Sequence, residues 1–217
     1  MSTALIFDLD GTLVDSAPDL QAALNHMLVA EGAGPLDLAT TKRFIGNGVP
    51  TLVTRARDHC DLDPTPSAQR AALTRFNSFY AQHSAGLTRL YPGVRAALER
   101  LQARGHPMAL CTNKPQAPAQ HVLRALDLTD FFPVVIGGDT TPAHKPDPRP
   151  VRAALAGLGA GPACFIGDSE VDAQAAQNTG LPFLLYTQGY RKSPAETIPA
   201  LARFESFEAL PDLIPTA

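Results

Sequence analysis

The stretch Ala4-Leu5-Ile6-Phe7-Asp8-Leu9-Asp10-Gly11-Thr12 constrains this chain more than any other, because an apolar run stops abruptly at two carboxylates and a glycine. The run is too short for a helix with a polar face. Continuous apolar residues closed by a turn signal suit a strand covered on both sides, which is expected over residues 4–8. In an extended chain the side chains at i and i+2 share a face, so Asp8 and Asp10 can point the same way just past the strand's carboxyl end. Two like charges so placed repel unless a metal ion or a shared proton sits between them. Asp-Gly is also an ordinary turn dipeptide, so the rest of the chain has to decide.

From Ser16 to about Ala85 the pattern is helical throughout. Ser16 is expected to cap the first helix, with Asp19 three residues on completing a capping box. That helix runs to about Glu31 with Leu20, Leu24, Met27 and Leu28 on one stripe, and further helices are expected over 38–44, 49–60 and 67–84. After Tyr91-Pro92-Gly93, strands at 108–111, 134–136, 164–166, 183–185 and 202–204 alternate with helices at 94–104, 118–126, 148–158, 171–179 and 206–213. Such alternation implies a parallel sheet with helices on both faces. The first strand finds partners only after Gly86. The expected organisation is therefore an α/β core of residues 1–15 plus 86–217, interrupted by a helical domain of residues 16–85. An insertion leaving the carboxyl end of a strand stands over the edge where open α/β sheets bind ligands, and it can act as a lid.

Eighteen basic residues against twenty-one acidic ones, with no long basic run, argue against nucleic acid as a partner. Cys60, Cys111 and Cys164 are odd in number and widely spaced, which argues against a disulfide framework or a zinc site. The N-terminal residues lack a basic leader, and no apolar run is long enough to span a bilayer. A cytoplasmic protein with no membrane partner is the expectation.

Three further polar groups follow expected strands on the same sheet edge as Asp8. Thr112-Asn113-Lys114 offers a hydroxyl and a backbone N–H at a helix start, both suited to phosphate oxygens. His144-Lys145-Pro146-Asp147-Pro148 pins a lysine between prolines, and Gly167-Asp168-Ser169-Glu170-Val171-Asp172 sets two acids four residues apart at a helix start. Singly, each has an ordinary explanation as a helix cap or a surface charge. Jointly they support phosphoryl transfer through an aspartate nucleophile. Asp8 and Asp168 supply hard oxygen ligands suited to Mg²⁺, while Lys145 and Thr112 neutralise and orient phosphate oxygens. Asp10 is placed to protonate the leaving alkoxide and later to deprotonate the attacking water.

The segments FDLDGTLVDS, Thr112-Asn113, HKPDP and GDSEVD resemble, in chain order, the four motifs of the haloacid dehalogenase superfamily and span residues 7–172. The resemblance implies a Rossmann-like parallel-sheet core with a helical cap domain inserted after the first strand. Asp8 then corresponds to the nucleophile, and Asp10 to the acid/base and, through its backbone carbonyl, a metal ligand. Thr112, Asn113 and Lys145 correspond to phosphate binders and Asp168 to the remaining metal anchor. Asp172 corresponds to a ligand through water or a support for Lys145.

A closer likeness, to bacterial phosphoglycolate phosphatases, rests on DLDGTLVDSAPDL, Phe44-Ile45-Gly46-Asn47-Gly48-Val49, Tyr91-Pro92-Gly93, GDSEVDAQAAQNTG and Gln188-Gly189-Tyr190. It implies Mg²⁺-dependent hydrolysis of a small phosphorylated metabolite, 2-phosphoglycolate, by a monomer or homodimer. Arg191 stands where that group usually carries asparagine. A substrate with a carboxylate calls for a small anion site, for which Lys42, Arg43 and the backbone N–H groups of Asn47 and Gly48 are the cap candidates. Asp10 argues against a dehalogenase or a phosphonate hydrolase. A sugar-phosphate phosphatase or β-phosphoglucomutase-like phosphotransferase shares the motifs and differs in the cap, and a non-enzymatic phospho-receiver also combines acids, a threonine and a lysine at strand ends.

Overall fold

The computed structural model describes residues 2–159 and 161–215. In chain order its elements are β1 (Ala4–Phe7), β2 (Val14–Asp15), α1 (Ala17–Ala30), α2 (Leu38–Phe44), α3 (Gly48–His59), α4 (Pro66–His83), β3 (Arg89–Leu90), α5 (Val94–Ala103), β4 (Met108–Cys111), α6 (Gln116–Ala125), β5 (Val134–Ile136), α7 (Pro148–Leu158), β6 (Ala163–Gly167), α8 (Glu170–Thr179), β7 (Phe183–Tyr186), β8 (Ala202–Phe204) and α9 (Leu210–Leu213).

Six strands form one sheet in the order β5-β4-β1-β6-β7-β8, and every neighbouring pair is parallel. The chain adds β4 and β5 outward on one side of β1, then crosses back to lay β6, β7 and β8 on the other. That reversal leaves a crevice beyond the carboxyl ends of the central strands, where open α/β sheets bind ligands. Phe7 pairs with both Leu110 and Ile166, so Asp8, Thr112 and Asp168 emerge within one residue of the same level.

Alternation along β1 explains its full burial. Leu5 and Phe7 pack with Leu98, Val122 and Phe207 on one face of the sheet, whereas Ile6 packs with Val151, Ala175 and Phe183 on the other. The inserted helices have their own cluster, built from Leu24, Met27, Val53, Phe76 and Tyr80, and Tyr190 of the sheet-bearing region reaches into it. Cys111 and Cys164 are buried fillers and all three cysteines are free. Among the described residues no helix is long and apolar enough to cross a membrane.

Three local expectations are corrected. Ser16 occupies the N-cap of α1 but makes no side-chain cap bond; its hydroxyl donates to Asp10 Oδ1 at 2.5 Å. Pro18 lies in the first turn and has no N–H, which removes one of the donors that a cap side chain uses. Asp19 does not close a capping box either. It accepts from the Leu87 and Thr88 N–H groups and from the Thr88 hydroxyl, tying the start of α1 to the returning chain.

Beside that tie, β2 and β3 pair antiparallel across the neck of the insertion, a ribbon too short for periodicity to reveal. The last helix starts at Leu210 rather than near 206, since Pro211 suits a first turn but not an interior.

Candidate active site

Asp8 leaves β1 at the crevice and is almost fully buried. Lys145 Nζ lies 2.8 Å from Asp8 Oδ1, yet that oxygen has no aligned hydrogen-bond donor. Burial pushes the Asp8 carboxyl up to about 6, with Lys145 opposing the shift and Asp172 adding to it. Burial and the nearby Asp172 and Asp8 likewise hold Asp168 well above the usual carboxylate range. Carboxylate oxygens of Asp8, Asp168 and Asp172 come within 4.8 Å of one another. An orphaned oxygen inside a set of hard, crowded, desolvated anions fits a divalent cation, which would relieve all three costs together.

Asp168 is held rigidly. Its Oδ1 accepts from the Thr12 hydroxyl at 2.8 Å and its Oδ2 from the Tyr190 N–H at 2.6 Å. Gly11, at φ +89°, and Gly189 close over it. A Cβ on Gly11 would stand 2.5 Å from Asp168 Oδ2, so both the backbone conformation and the space demand glycine.

Asp172 spends its oxygens on support. Oδ1 accepts from Lys145 Nζ at 2.7 Å, while Oδ2 accepts from the Ser169 hydroxyl and N–H in the capping box that starts α8. Burial alone would lower the Lys145 ammonium, but Asp172 and Asp8 outweigh it and hold the group above its ordinary value.

The remaining candidates separate. Thr112 is buried at the end of β4 with its Oγ1 accepting from the Lys114 N–H, and it borders the cavity with Asp8 and Lys145. Asn113 is expected on phosphate, but its side chain is fully used elsewhere. It donates to the carbonyls of Gly46 and Lys145 and accepts from the Lys145 N–H, so it stitches the inserted helices to the lysine loop.

Asn47 and Gly48 also border the cavity, at the start of α3. Lys42 and Arg43 do not. Lys42 pairs with Asp15 at 3.2 Å, Arg43 is exposed, and both line a separate open basic hollow of about 710 Å³ with Arg55, Arg191 and Lys192. Both stand outside the lining of the cavity that holds Asp8, and the hollow adjoins that cavity through Tyr190 and Lys192. Lys42 Nζ lies 5.5 Å from the centre of the Tyr190 ring, and Arg43 donates to the Thr40 hydroxyl. Arg191, at the unusual position, donates to the Thr187 carbonyl and faces the same hollow.

Asp10 is expected to act as a proton carrier. Here it faces an ammonium: Lys114 Nζ lies 2.9 Å from Oδ1 and 3.2 Å from Oδ2, and the same group donates to the Tyr80 hydroxyl. Lys114, Tyr80 and Ser16 are therefore site residues that sequence reasoning missed. Lys114 carried a signal, standing two residues beyond Thr112 at a strand end. Tyr80 carried none, because an aromatic residue on a helical stripe reads as core.

These groups enclose a cavity of about 60 Å³. Its floor is the sheet edge with Asp8, Asp10, Thr112, Lys114, Lys145 and Asp168. Its roof is apolar, formed by Leu20, Ile45, Val49 and Leu52.

A family model described as haloacid dehalogenase-like hydrolase matches residues 5–186. The phosphoglycolate phosphatase of Rhodobacter capsulatus is 47% identical over 214 residues, covering 99% of this chain and 97% of its own. The crystal structure of a predicted phosphoglycolate phosphatase from Haemophilus somnus 129PT is similar with a TM-score of 0.91 at 30% identity, covering 98% of this chain and 97% of its own. The structure of CbbY from Rhodobacter sphaeroides in complex with phosphate is similar with a TM-score of 0.77 at 25% identity, covering 97% and 96%.

Proposed function

The chain belongs to the haloacid dehalogenase-like hydrolases and is a phosphoric monoester hydrolase, and from that premise we propose that it hydrolyses 2-phosphoglycolate through an aspartyl-phosphate on Asp8. The observation that carries this reading is the buried Asp8 carboxylate, ion-paired to Lys145 at 2.8 Å and grouped with Asp168 and Asp172, on the wall of a cavity at the sheet edge. A carboxylate oxygen that pairs with an ammonium still has a lone pair for an incoming phosphorus. The similarity to curated phosphoglycolate phosphatases supports the substrate.

Asp8, Asp168 and the Asp10 backbone carbonyl are the proposed holders of Mg²⁺, which when bound neutralises charge between the nucleophile and the phosphoryl group. Asp8 Oδ1 forms a bond to phosphorus as the ester P–O bond breaks. Asp10 passes a proton to the departing alkoxide, then takes one from the water that attacks phosphorus and frees Asp8. Lys145, Thr112 and the Asn113 backbone N–H orient the phosphoryl oxygens, and Asp172 keeps Lys145 in place. Residues 16–85 act as a cap whose apolar roof excludes bulk water, while residues 1–15 and 86–217 form the catalytic core.

The test is phosphate release with Mg²⁺ from 2-phosphoglycolate, hexose phosphates and nucleotides. The expected kcat/KM for 2-phosphoglycolate is at least about tenfold above every other ester, with activity lost to a chelator and restored by Mg²⁺. Preference for a hexose phosphate, or return of phosphate to the sugar, would replace this reading.

A further inference from the structure

Two buried lysines stand on the cavity wall with different commitments. Lys145 is held between Asp8 and Asp172, at 2.8 and 2.7 Å. Lys114, 5% exposed, reaches the opposite side of the floor, where it meets Asp10 and the Tyr80 hydroxyl. Because the Tyr80 oxygen accepts from Lys114, its own O–H remains available to donate. Burial holds that phenol protonated, pushed up to about 12. An ammonium and a hydroxyl thus lie side by side beneath α4, both bordering the cavity.

The geometry of the substrate class selects what these two donors meet. An ester oxygen that takes a proton from Asp10 must come within hydrogen-bond reach of it. In the phosphate ester of a 2-hydroxy acid, one carbon separates that oxygen from the carboxylate, so the carboxylate falls beside whatever flanks Asp10. The roof offers no cation: Leu20, Ile45, Val49 and Leu52 are apolar, the start of α3 at Asn47 and Gly48 presents only backbone N–H groups, and Lys42 and Arg43 line the adjoining hollow. Lys192 borders the rim but is exposed, where solvent screens its charge.

We propose that Lys114 and Tyr80 form the carboxylate subsite, selecting phosphate esters of 2-hydroxy acids over two-carbon phosphate esters that lack the carboxylate. This rests on the small-ester phosphatase reading above. A desolvated ammonium makes a stronger, charge-assisted bond than an exposed one, and the hydroxyl adds direction. An ester without a carboxylate leaves Lys114 to Asp10 and Tyr80 and gains nothing from either donor.

The experiment compares kcat/KM for 2-phosphoglycolate with that for ethyl phosphate, in wild-type protein and in Lys114→Met, Lys114→Arg and Tyr80→Phe. The ratio is the readout, because a general loss of activity or of folded protein cancels from it. Lys114→Met should lower the ratio by about 10- to 100-fold, the range for a hydrogen bond to a charged group. Tyr80→Phe should lower it by about 3- to 10-fold, and Lys114→Arg should recover part of the loss. If Lys114→Met slows both esters equally, Lys114 only positions Asp10 and the subsite is wrong, while the wild-type preference still upholds the phosphatase reading. If wild-type protein does not distinguish the two esters, subsite and substrate reading fall together. Should Lys114→Met not fold, an unchanged ratio in Tyr80→Phe overturns the proposal by itself.

Discussion

The floor and the roof of the cavity are built on opposite principles. The floor places three carboxylates and two ammonium groups along the carboxyl edge of the sheet, nearly all of them buried, with Asp10 tied to Ser16 and Asp168 tied to Thr12 and Tyr190. The roof is a helical surface of Leu20, Ile45, Val49 and Leu52 that contributes shape. The chemistry is thus fixed to the rigid sheet, where the backbone ladder holds a side chain against repulsion. Exclusion of water is assigned to the separately packed helices. A polar side chain of the insertion therefore meets the sheet-edge carboxylates only if it reaches the floor. Tyr80 does and Lys42 does not.

Three substitutions test this division. The largest effect belongs to the floor: Asp8→Asn should reduce kcat by about 10⁴-fold or more, as expected for loss of a nucleophile. The same change should leave metal-free protein at least as stable. Asp8 is raised to about 6 in the folded state, above the ordinary carboxylate value. Its burial therefore costs stability as pH rises through that value, and a neutral amide removes the cost. Retained turnover, or a melting temperature that falls at pH 8, would break the assignment.

In the roof, Leu52→Ala should cost about 2–4 kcal/mol of stability by opening a cavity in the helical cluster. Its kcat at saturating substrate and low temperature should fall by no more than about threefold, since no reacting atom is touched. A loss comparable to that of Asp8→Asn would make the roof part of the chemistry. The smallest effect is expected in the open hollow. Replacing Lys42 and Arg43 together by alanine should change KM for 2-phosphoglycolate by less than about threefold, because their charges are solvent-screened. A tenfold rise in KM for that ester alone would return the carboxylate site to α2.

How much of the molecule was legible follows from what each signal depends on. Continuous apolar runs marked β1, β4, β6 and β7 because strands buried on both faces admit almost nothing else. The polar residues directly after them marked the crevice, since a parallel sheet brings its strand ends together whatever its strand order. The ribbon of β2 and β3 was silent, for two residues have no period. Asp19 and Asn113 carried the right residue types for a cap and for an anion site, but bind across 68 and 32 or more residues of chain instead. Lys114 was visible as a residue and invisible as a partner of Asp10, 104 positions away.

The sequence by itself determined the parallel-sheet class, the helical insertion after the first strand and which edge of the sheet carries the acids. These depend on hydrophobic periodicity and on the order of strands and helices, both local properties of a chain. Tertiary structure alone decided how those acids are divided. It paired Asp8 with Lys145, set Asp10 against Lys114 and Lys114 against Tyr80, placed Lys42 on Asp15, and bent Tyr190 back to hold Asp168. Electrostatic pairing depends on distances of a few ångströms between groups far apart in the chain, and only the folded backbone sets those distances.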